Sequence, residues 1–286
     1  MNDSDLNIRN MRREELDILV QWAINEGWNV GLSDADIFWA TDPGAFIAAE
    51  LSGDFVGGGS IASYDGTFGF MGFFIIHPDH RGRGLGHELW HARRQILIDR
   101  LTKPAVIGMD GVFNMQAYYA KGGFVFSERD LRFESVGSAG PVHHSIIDLT
   151  DWPFADIENY DRRHFPAPRS EFLRLWLNQP GAWAFGSVSG GTLAGFGVIR
   201  PCQTGYKIGP LFADSPAIAE NLFVALSAQV PGESIFLDVP ENNQAAIAMT
   251  SRHGMKEVFG CAKMYLGPKP TLPEQEIFGV TSFELG

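Results

Sequence analysis

The densest chemistry in the chain lies in His77-Pro78-Asp79-His80-Arg81-Gly82-Arg83-Gly84-Leu85-Gly86. An apolar strand-like run, 68–76, precedes it, and a long helical pattern, 84–100, follows. Backbone N–H groups at such a helix start converge on one spot, and the helix dipole adds about half a positive charge there. Gly82, Gly84 and Gly86 lack Cβ atoms, so a pyrophosphate can come close to the backbone. Arg81 and Arg83 add positive charge to a chain whose formal net charge is −12. The plain alternative is a glycine-rich turn with solvated arginines. Arg-x-x-Gly-x-Gly between a strand and a helix is a stronger sign of anion binding than a lone Gly-x-Gly. No Gly-Lys-Ser/Thr follows, so this is not a Walker loop, and the hairpin-like order of the preceding strands fits a dinucleotide fingerprint poorly.

A second motif competes for the same helix. His87-Glu88-Leu89-Trp90-His91 matches His-Glu-x-x-His, whose spacing puts two imidazoles on one helix face as zinc proteases need. Its context is wrong: the helix already begins with the glycine loop, and no Gly-x-x-His or well-placed acid follows. Leu85, Leu89, Ala92 and Ile96 form the expected buried stripe, which turns His87 and His91 toward a polar face. No metal is expected. Cys202 and Cys261 are the only cysteines, too few for a disulfide framework and without a defined histidine partner for covalent catalysis.

The elements that must hold the loop alternate between strand and helix, an α/β (α+β) pattern. Strands are expected at 7–11, 46–51, 55–63, 68–76, 105–109 and 124–133, with helices at 13–25, after Ser33-Asp34, at 84–100 and at 115–121. Ser135 to Pro141 has linker composition. The same order then restarts, with strands at 145–149, 183–188, 193–199, 206–212 and 235–239, and helices at 153–163, 170–177, 217–229 and 243–253. The repeat is one of pattern: Val106-Ile107-Gly108-Met109-Asp110, a helix and Gly123-Phe124 match Ile235-Phe236-Leu237-Asp238, a helix and Gly254-Met255. A length of 286 residues also suits two domains. The acidic balance argues against nucleic acid and favours cationic small substrates. No apolar run reaches about 18 residues, so no membrane span is expected. Met1-Asn2-Asp3-Ser4-Asp5 does not read as a signal peptide, and a cytoplasmic location is expected.

Arg81-Gly82-Arg83-Gly84-Leu85-Gly86 resembles the Gln/Arg-x-x-Gly-x-Gly/Ala acetyl-CoA loop of the GNAT superfamily. Phe70 to Ile76 is similar to that family's central strand, and Tyr119-Ala120-Lys121-Gly122-Gly123-Phe124 to its Tyr-x-x-x-Gly-Phe segment. Asn114 resembles the asparagine that opens the same helix, at a shorter spacing than usual. The resemblance covers about residues 5 to 135, and the restarted order makes the whole similar to tandem-GNAT proteins. It implies two GNAT-like domains, 1–137 and a degenerate 141–286, each a twisted, mixed, mostly antiparallel sheet flanked by helices. It implies acetyl transfer from acetyl-CoA to a primary amine by direct attack. The central strand splays from its neighbour, pantetheine pairs with it, and a backbone N–H near Phe74, Ile75 or Ile76 stabilises the oxyanion. Arg81, Gly82, Arg83, Gly84, Leu85, Gly86, Asn114 and Tyr119 complete the expected acetyl-CoA contacts.

The same resemblance makes Tyr119 the acid that protonates the departing thiolate. Asp110, at a strand end beside the slot, is a candidate base, and a strand-end acid capping a loop is the competing reading. Glu26, Asp34 and Asp36 are candidates for holding an ammonium group, against the plainer roles of surface acids or helix caps. Met71-Gly72-Phe73 lacks the glutamate that often serves as base. In the second half Asp214-Ser215-Pro216 replaces the glycine loop and Thr250 falls where Tyr119 falls, so that half is expected to be silent. The alternative from another class is a non-catalytic acyl-CoA-binding sensor or interaction protein.

Overall fold

The computed structural model describes residues 6–102, 104 and 106–286. Met1 to Asp5, on which the signal-peptide expectation rests, and Ala105, at the start of one expected strand, lie outside the described residues. In the first half the elements are β1 (Leu6–Asn10), α1 (Arg13–Asn25), α2 (Asp34–Thr41), β2 (Phe46–Leu51), β3 (Asp54–Tyr64), β4 (Phe68–Ile76), α3 (Leu85–Arg100), β5 (Ile107–Val112), α4 (Gln116–Lys121) and β6 (Val125–Val136). The second half contributes β7 (Ile146–Asp148), α5 (Phe154–His164), α6 (Ser170–Leu177), β8 (Trp183–Ser189), β9 (Thr192–Pro201), β10 (Tyr206–Ala213), α7 (Pro216–Ser227), β11 (Ser234–Pro240), α8 (Gln244–Arg252), β12 (Lys256–Leu266) and β13 (Ile277–Gly279). Local signals set these elements. In α1, the Glu15 carboxylate accepts the Arg12 N–H at 2.8 Å, closing the helix start, and Leu16, Leu19 and Ala23 form its buried stripe.

The α/β pattern holds, but the sheet does not break at the linker. Its order is β1-β2-β3-β4-β5-β12-β6-β11-β10-β9-β8-β7, with β13 pairing β10 off this path. β12 belongs to the second half in sequence, yet it pairs β5 from Cys261 opposite Val112 to Leu266 opposite Ile107. β6 belongs to the first half, yet it runs between β12 and β11. The two halves have exchanged their late strands, so the 137–141 boundary is one of chain and not of sheet. Among the described residues the parallel pairings are β4 with β5 and β10 with β11.

Buried charges join the halves a second time. Arg132 on β6 donates to Asp238 on β11 at 2.6 and 2.8 Å, and Arg200 on β9 donates to Asp34 on α2 at 3.0 and 3.2 Å. The Lys263 ammonium on β12 bridges Asp130 at 2.6 Å and Asp110 at 3.2 Å. Each of these pairs crosses from one half to the other. Losing one partner of such a pair typically costs about 3–5 kcal/mol, because the other charge is left buried alone. The apolar core also crosses, with Phe38 of α2 stacked on Trp176 of α6 at 6.0 Å between centroids. No helix among the described residues is long and apolar enough to cross a membrane.

Strand exchange makes the halves interdependent. Chains 1–137 and 141–286 expressed separately are expected to be unfolded or aggregated, and to form a folded 1:1 complex when co-expressed. Far-UV circular dichroism and size-exclusion chromatography check this. A folded monomer of 141–286 alone would contradict it.

Candidate active site

β4 and β5 pair only from Gly69 opposite Ile107 to Met71 opposite Met109, then diverge. Immediately after Gly72 the register of β4 against β3 slips, and Phe73 takes a φ of 49°, a bulge that re-aims the strand. The divergence opens a cavity of about 1040 Å³, lined among others by Phe73, Phe74, Ile76, Tyr119 and Cys261. The His77 N–H bonds to the Val56 carbonyl at 2.9 Å. Alternation along an antiparallel pair therefore turns Ile75 toward β3 and the amides of Phe74 and Ile76 toward the open side.

The glycine loop closes one end of this cavity. Gly84 is the N-cap of α3 with a φ of 86°, and no side chain caps the helix. Its first amides have no partner within the helix. A Cβ on Gly82 or Gly84 would meet no atom within 4 Å, so the loop leaves open space in front of those amides. Arg83 is exposed, and Arg81 binds the Ile76 carbonyl through Nε at 2.9 Å.

This geometry has known counterparts. Residues 8–124 match the model of the acetyltransferase (GNAT) family, and residues 157–279 match that of an acetyltransferase (GNAT) domain. An acetyltransferase of Pectobacterium atrosepticum is 30% identical over 99 residues, 33% of this chain and 70% of that protein. The chain belongs to the GNAT acetyltransferase family. It is a tandem GNAT chain, an acyl-transfer enzyme by family, and the family draws on an acyl-CoA cosubstrate. A holothin acyltransferase from a Pseudoalteromonas species is 29% identical over 282 residues, 96% of this chain and 92% of that one. Among solved structures, an acetyltransferase of Pyrococcus horikoshii superposes with a TM-score of 0.85 at 22% identity, over 100% of this chain and 98% of that one. A tandem GNAT protein from the clavulanic acid biosynthesis pathway gives 0.64 at 15% identity, over 93% and 100%. At such identities the structures speak for the fold alone.

The GNAT cleft brings some of the sequence candidates together and disperses others. Tyr119 lines the cavity from α4, almost wholly buried, and burial pushes its phenol up to about 12. Its ring packs against Gly111, where any Cβ would overlap it, and stacks near Trp90 at 6.4 Å. Asn114 lines the same wall and is exposed. Asp110 also borders the cavity, but its carboxyl shares the Lys263 ammonium with Asp130. Burial raises its pKa, offset in part by Lys263. Glu26 stands at the cavity rim, paired with the Arg81 guanidinium.

The expected acidic cluster does not assemble. Asp34 is fully buried; burial opposes its charge, yet Arg200 and Lys207 hold its carboxyl below the usual range. Asp36 faces solvent and pairs with Arg13. With Glu26 taken by Arg81, the three acids point to three different partners. The His-Glu-x-x-His pair is likewise local: His87 meets the Tyr118 hydroxyl at 3.0 Å and packs against His91 at 4.3 Å. Among the described residues no group of three or more His, Cys, Asp or Glu converges on a metal position. Cys261 borders the cavity with its thiol pushed up by burial, which keeps it protonated and unreactive.

Two features of the site have no local signature in the sequence. The buried stripe of α3 runs Leu85, Leu89, Trp90, Arg93, Leu97, displacing Ala92 and Ile96 from the expected positions. Arg93 reaches beneath the sheet, where Nη2 donates to the carbonyls of Gly72, at 2.7 Å, and Ser60. Gly59 makes room for the guanidinium, since a Cβ there would collide with it. The other feature is the C-terminal segment after β13, whose Phe283 and Glu284 border the cavity.

The second half has the same slot, filled. β10 and β11 pair from Tyr206 opposite Ile235 to Ile208 opposite Leu237, and β13 then pairs β10 at Leu211 and Phe212. Asn243, the N-cap of α8, donates to the Ile277 carbonyl at 2.9 Å and so holds β13. At the start of α7 the Ser215 hydroxyl accepts the Ile218 N–H at 3.4 Å. Asp214 does not share that capping role: it accepts from the Tyr160 hydroxyl at 2.7 Å and from Arg163 at 3.3 Å.

Gly111→Ala should force the Tyr119 ring out of its seat and lower stability by about 1–3 kcal/mol through overpacking. Urea unfolding monitored by tyrosine and tryptophan fluorescence checks this. Unchanged stability would mean that the ring is not held where it is described.

Proposed function

We propose that the first-half cleft transfers an acetyl group from acetyl-CoA to a primary amine by direct attack in a ternary complex. One observation carries the reading: an open cleft of about 1040 Å³ between β4 and β5, with an uncapped glycine-rich helix start at one end and Tyr119 inside. The pyrophosphate is assigned to the amides and arginines of Arg81, Gly82, Arg83, Gly84, Leu85 and Gly86. Arg81 must then exchange Glu26 for phosphate or hold both. Pantetheine runs along Phe74 to Ile76 with Asn114 on the facing wall, and the inward amides of Phe74 and Ile76 polarise the thioester carbonyl.

The amine must be neutral when it attacks. Its nitrogen forms the C–N bond, the C–S bond breaks, and the thiolate takes the Tyr119 proton. A phenol raised to about 12 is fully protonated at neutral pH and so is ready to donate. Residues 1–137 supply the acyl-CoA site in this reading. Residues 141–286 supply a silent wall, because β13 occupies the second slot and Thr250 replaces the phenol. The net charge of −12 still favours a cationic acceptor, although no acidic cluster supports it. Two buried thiols suit a cytoplasmic setting.

Isothermal titration should give one acetyl-CoA per chain, lost in Gly84→Val, whose side chain would enter the anion's space. Two equivalent sites per chain would contradict the silent second half. Thiol release from acetyl-CoA, propionyl-CoA and longer acyl-CoA, tested with holothin and a panel of primary amines, checks donor and acceptor. Binding without release for any amine would replace the enzyme by a sensor. Tyr119→Phe should lower kcat by roughly 10²–10⁴-fold with acetyl-CoA affinity unchanged. An unchanged kcat with chemistry rate-limiting would remove Tyr119 from the mechanism.

A further inference from the structure

The segment that follows β13 reaches back to the first half. After β13 fills the second slot, the Val280 N–H bonds to the Asp238 carbonyl at 2.9 Å and the chain crosses toward the first half. There the Glu284 carbonyl accepts the Ser60 hydroxyl at 3.2 Å and the Leu285 carbonyl accepts the Tyr64 hydroxyl at 2.7 Å, both from β3. The backbone of Glu284 lies so close to β4 that a Cβ on Gly72 would overlap its carbonyl. Glu284 is thereby pinned beside the residue that precedes the Phe73 bulge, where β4 leaves β5.

The carboxyl of Glu284 has an unusual status there. Glu284 borders the open cavity, its residue is only 3% exposed, and Oε2 has no hydrogen-bond partner among the described residues. From α2, β10, β6 and β9 the charged groups facing it are Asp34, Lys207, Arg132 and Arg200. Arg200 is committed to Asp34, Arg132 to Asp238, and Lys207 donates to the Asn29 carbonyl at 3.0 Å. Asp34 and Asp238 therefore each have a guanidinium, whereas Glu284 has no paired cation among the described residues. Leaving a buried carboxyl oxygen unpaired typically costs about 1–3 kcal/mol or more. A protonated amine entering the cavity would satisfy it.

We propose that Glu284, carried on the C-terminal segment of the silent half, is the base that deprotonates the acceptor amine in the first half. This assignment rests on the acetyl-transfer reading. An R–NH₃⁺ group donates one proton to the Glu284 carboxylate, and the neutral amine attacks the thioester carbonyl. The C–S bond breaks, and the thiolate takes the Tyr119 proton. The second proton lost by the nitrogen restores Tyr119, and Glu284 returns its own proton to solvent. The sum is ammonium plus thioester giving amide, thiol and one proton. Burial raises the Glu284 pKa, with Lys207, Arg132 and Arg200 restraining the shift, and such a carboxyl is a better base than an exposed one. Of the other carboxyls that border the cavity, Asp110 is held by Lys263, Glu26 is paired with Arg81, and Glu257 is exposed.

Glu284→Gln keeps the size of the side chain and removes the base. With the amine accepted by wild type, kcat/KM for that amine should fall roughly 10²–10⁴-fold, with acetyl-CoA affinity and thermal midpoint unchanged. The residual rate of the variant should rise with pH in step with the neutral fraction of the amine, while wild type levels off at lower pH. Glu284→Asp, which keeps a carboxylate one methylene further back, should be intermediate and keep the wild-type form of the pH profile. A Glu284→Gln enzyme with wild-type kcat/KM and pH profile overturns the proposal and leaves acetyl transfer standing. A wild-type protein that turns over acetyl-CoA with no amine overturns both.

Discussion

The exchange of late strands between the two halves is the constraint on which the rest of the structure depends. β5 would be an edge strand without β12, and β11 would be one without β6. Unpaired edges invite aggregation, so each half is completed only by the other. The cross-over ion pairs follow from it. Arg132 can reach Asp238 because β6 lies against β11, and Lys263 can bridge Asp110 and Asp130 because β12 lies between β5 and β6. The cavity inherits this: β4, β5 and α4 of the first half form one wall, and Cys261, Phe283 and Glu284 of the second close it. A second half fixed in this way can set side chains at a site whose loop and phenol it does not carry.

The two slots solve one problem differently. Wherever the central strand leaves its parallel neighbour, backbone N–H and C=O groups lose their ladder partners and need others. In the second half β13 supplies them permanently, tied by Asn243, and a tethered strand competes at very high effective concentration with any free ligand. The Ser215 hydroxyl engages one amide at the start of α7 and Pro216 lacks another, so fewer are free there than at α3. In the first half no segment among the described residues pairs there, the helix start is capped by no side chain, and the same groups face an open cavity.

Local features of the sequence were readable because they depend on local physics. Periodicity placed most elements within a residue or two, and glycine spacing placed the loop at the mouth of the cleft. The strand exchange was not readable, since any late antiparallel strand with the pattern of β12 can complete either half. Acids were misread for a related reason. Glu26, Asp34 and Asp36 are close in sequence, but α2 turns Asp34 inward to Arg200 and Asp36 outward to Arg13. Glu284 sits in a short segment without periodicity, and its position is set by β13 in one half and by β3 and β4 in the other.

Arg93 shows how the two ends of the cleft are kept in register. Its guanidinium lies in the core against Phe74 at 5.1 Å, with Nε and Nη1 unpaired, and burial lowers its pKa to about 9. It is still charged at neutral pH, so the carbonyls of Gly72 and Ser60 receive charge-assisted bonds. Those carbonyls belong to the last in-register pair before the slip that accompanies the Phe73 bulge. The same α3 begins at the glycine loop. One rigid helix thus fixes the distance between the uncapped amides at the glycine loop and the strand amides that face the cavity. A cosubstrate stretched between them would find both ends placed before it arrives, which is the condition for backbone dipoles to act on a thioester without reorganising.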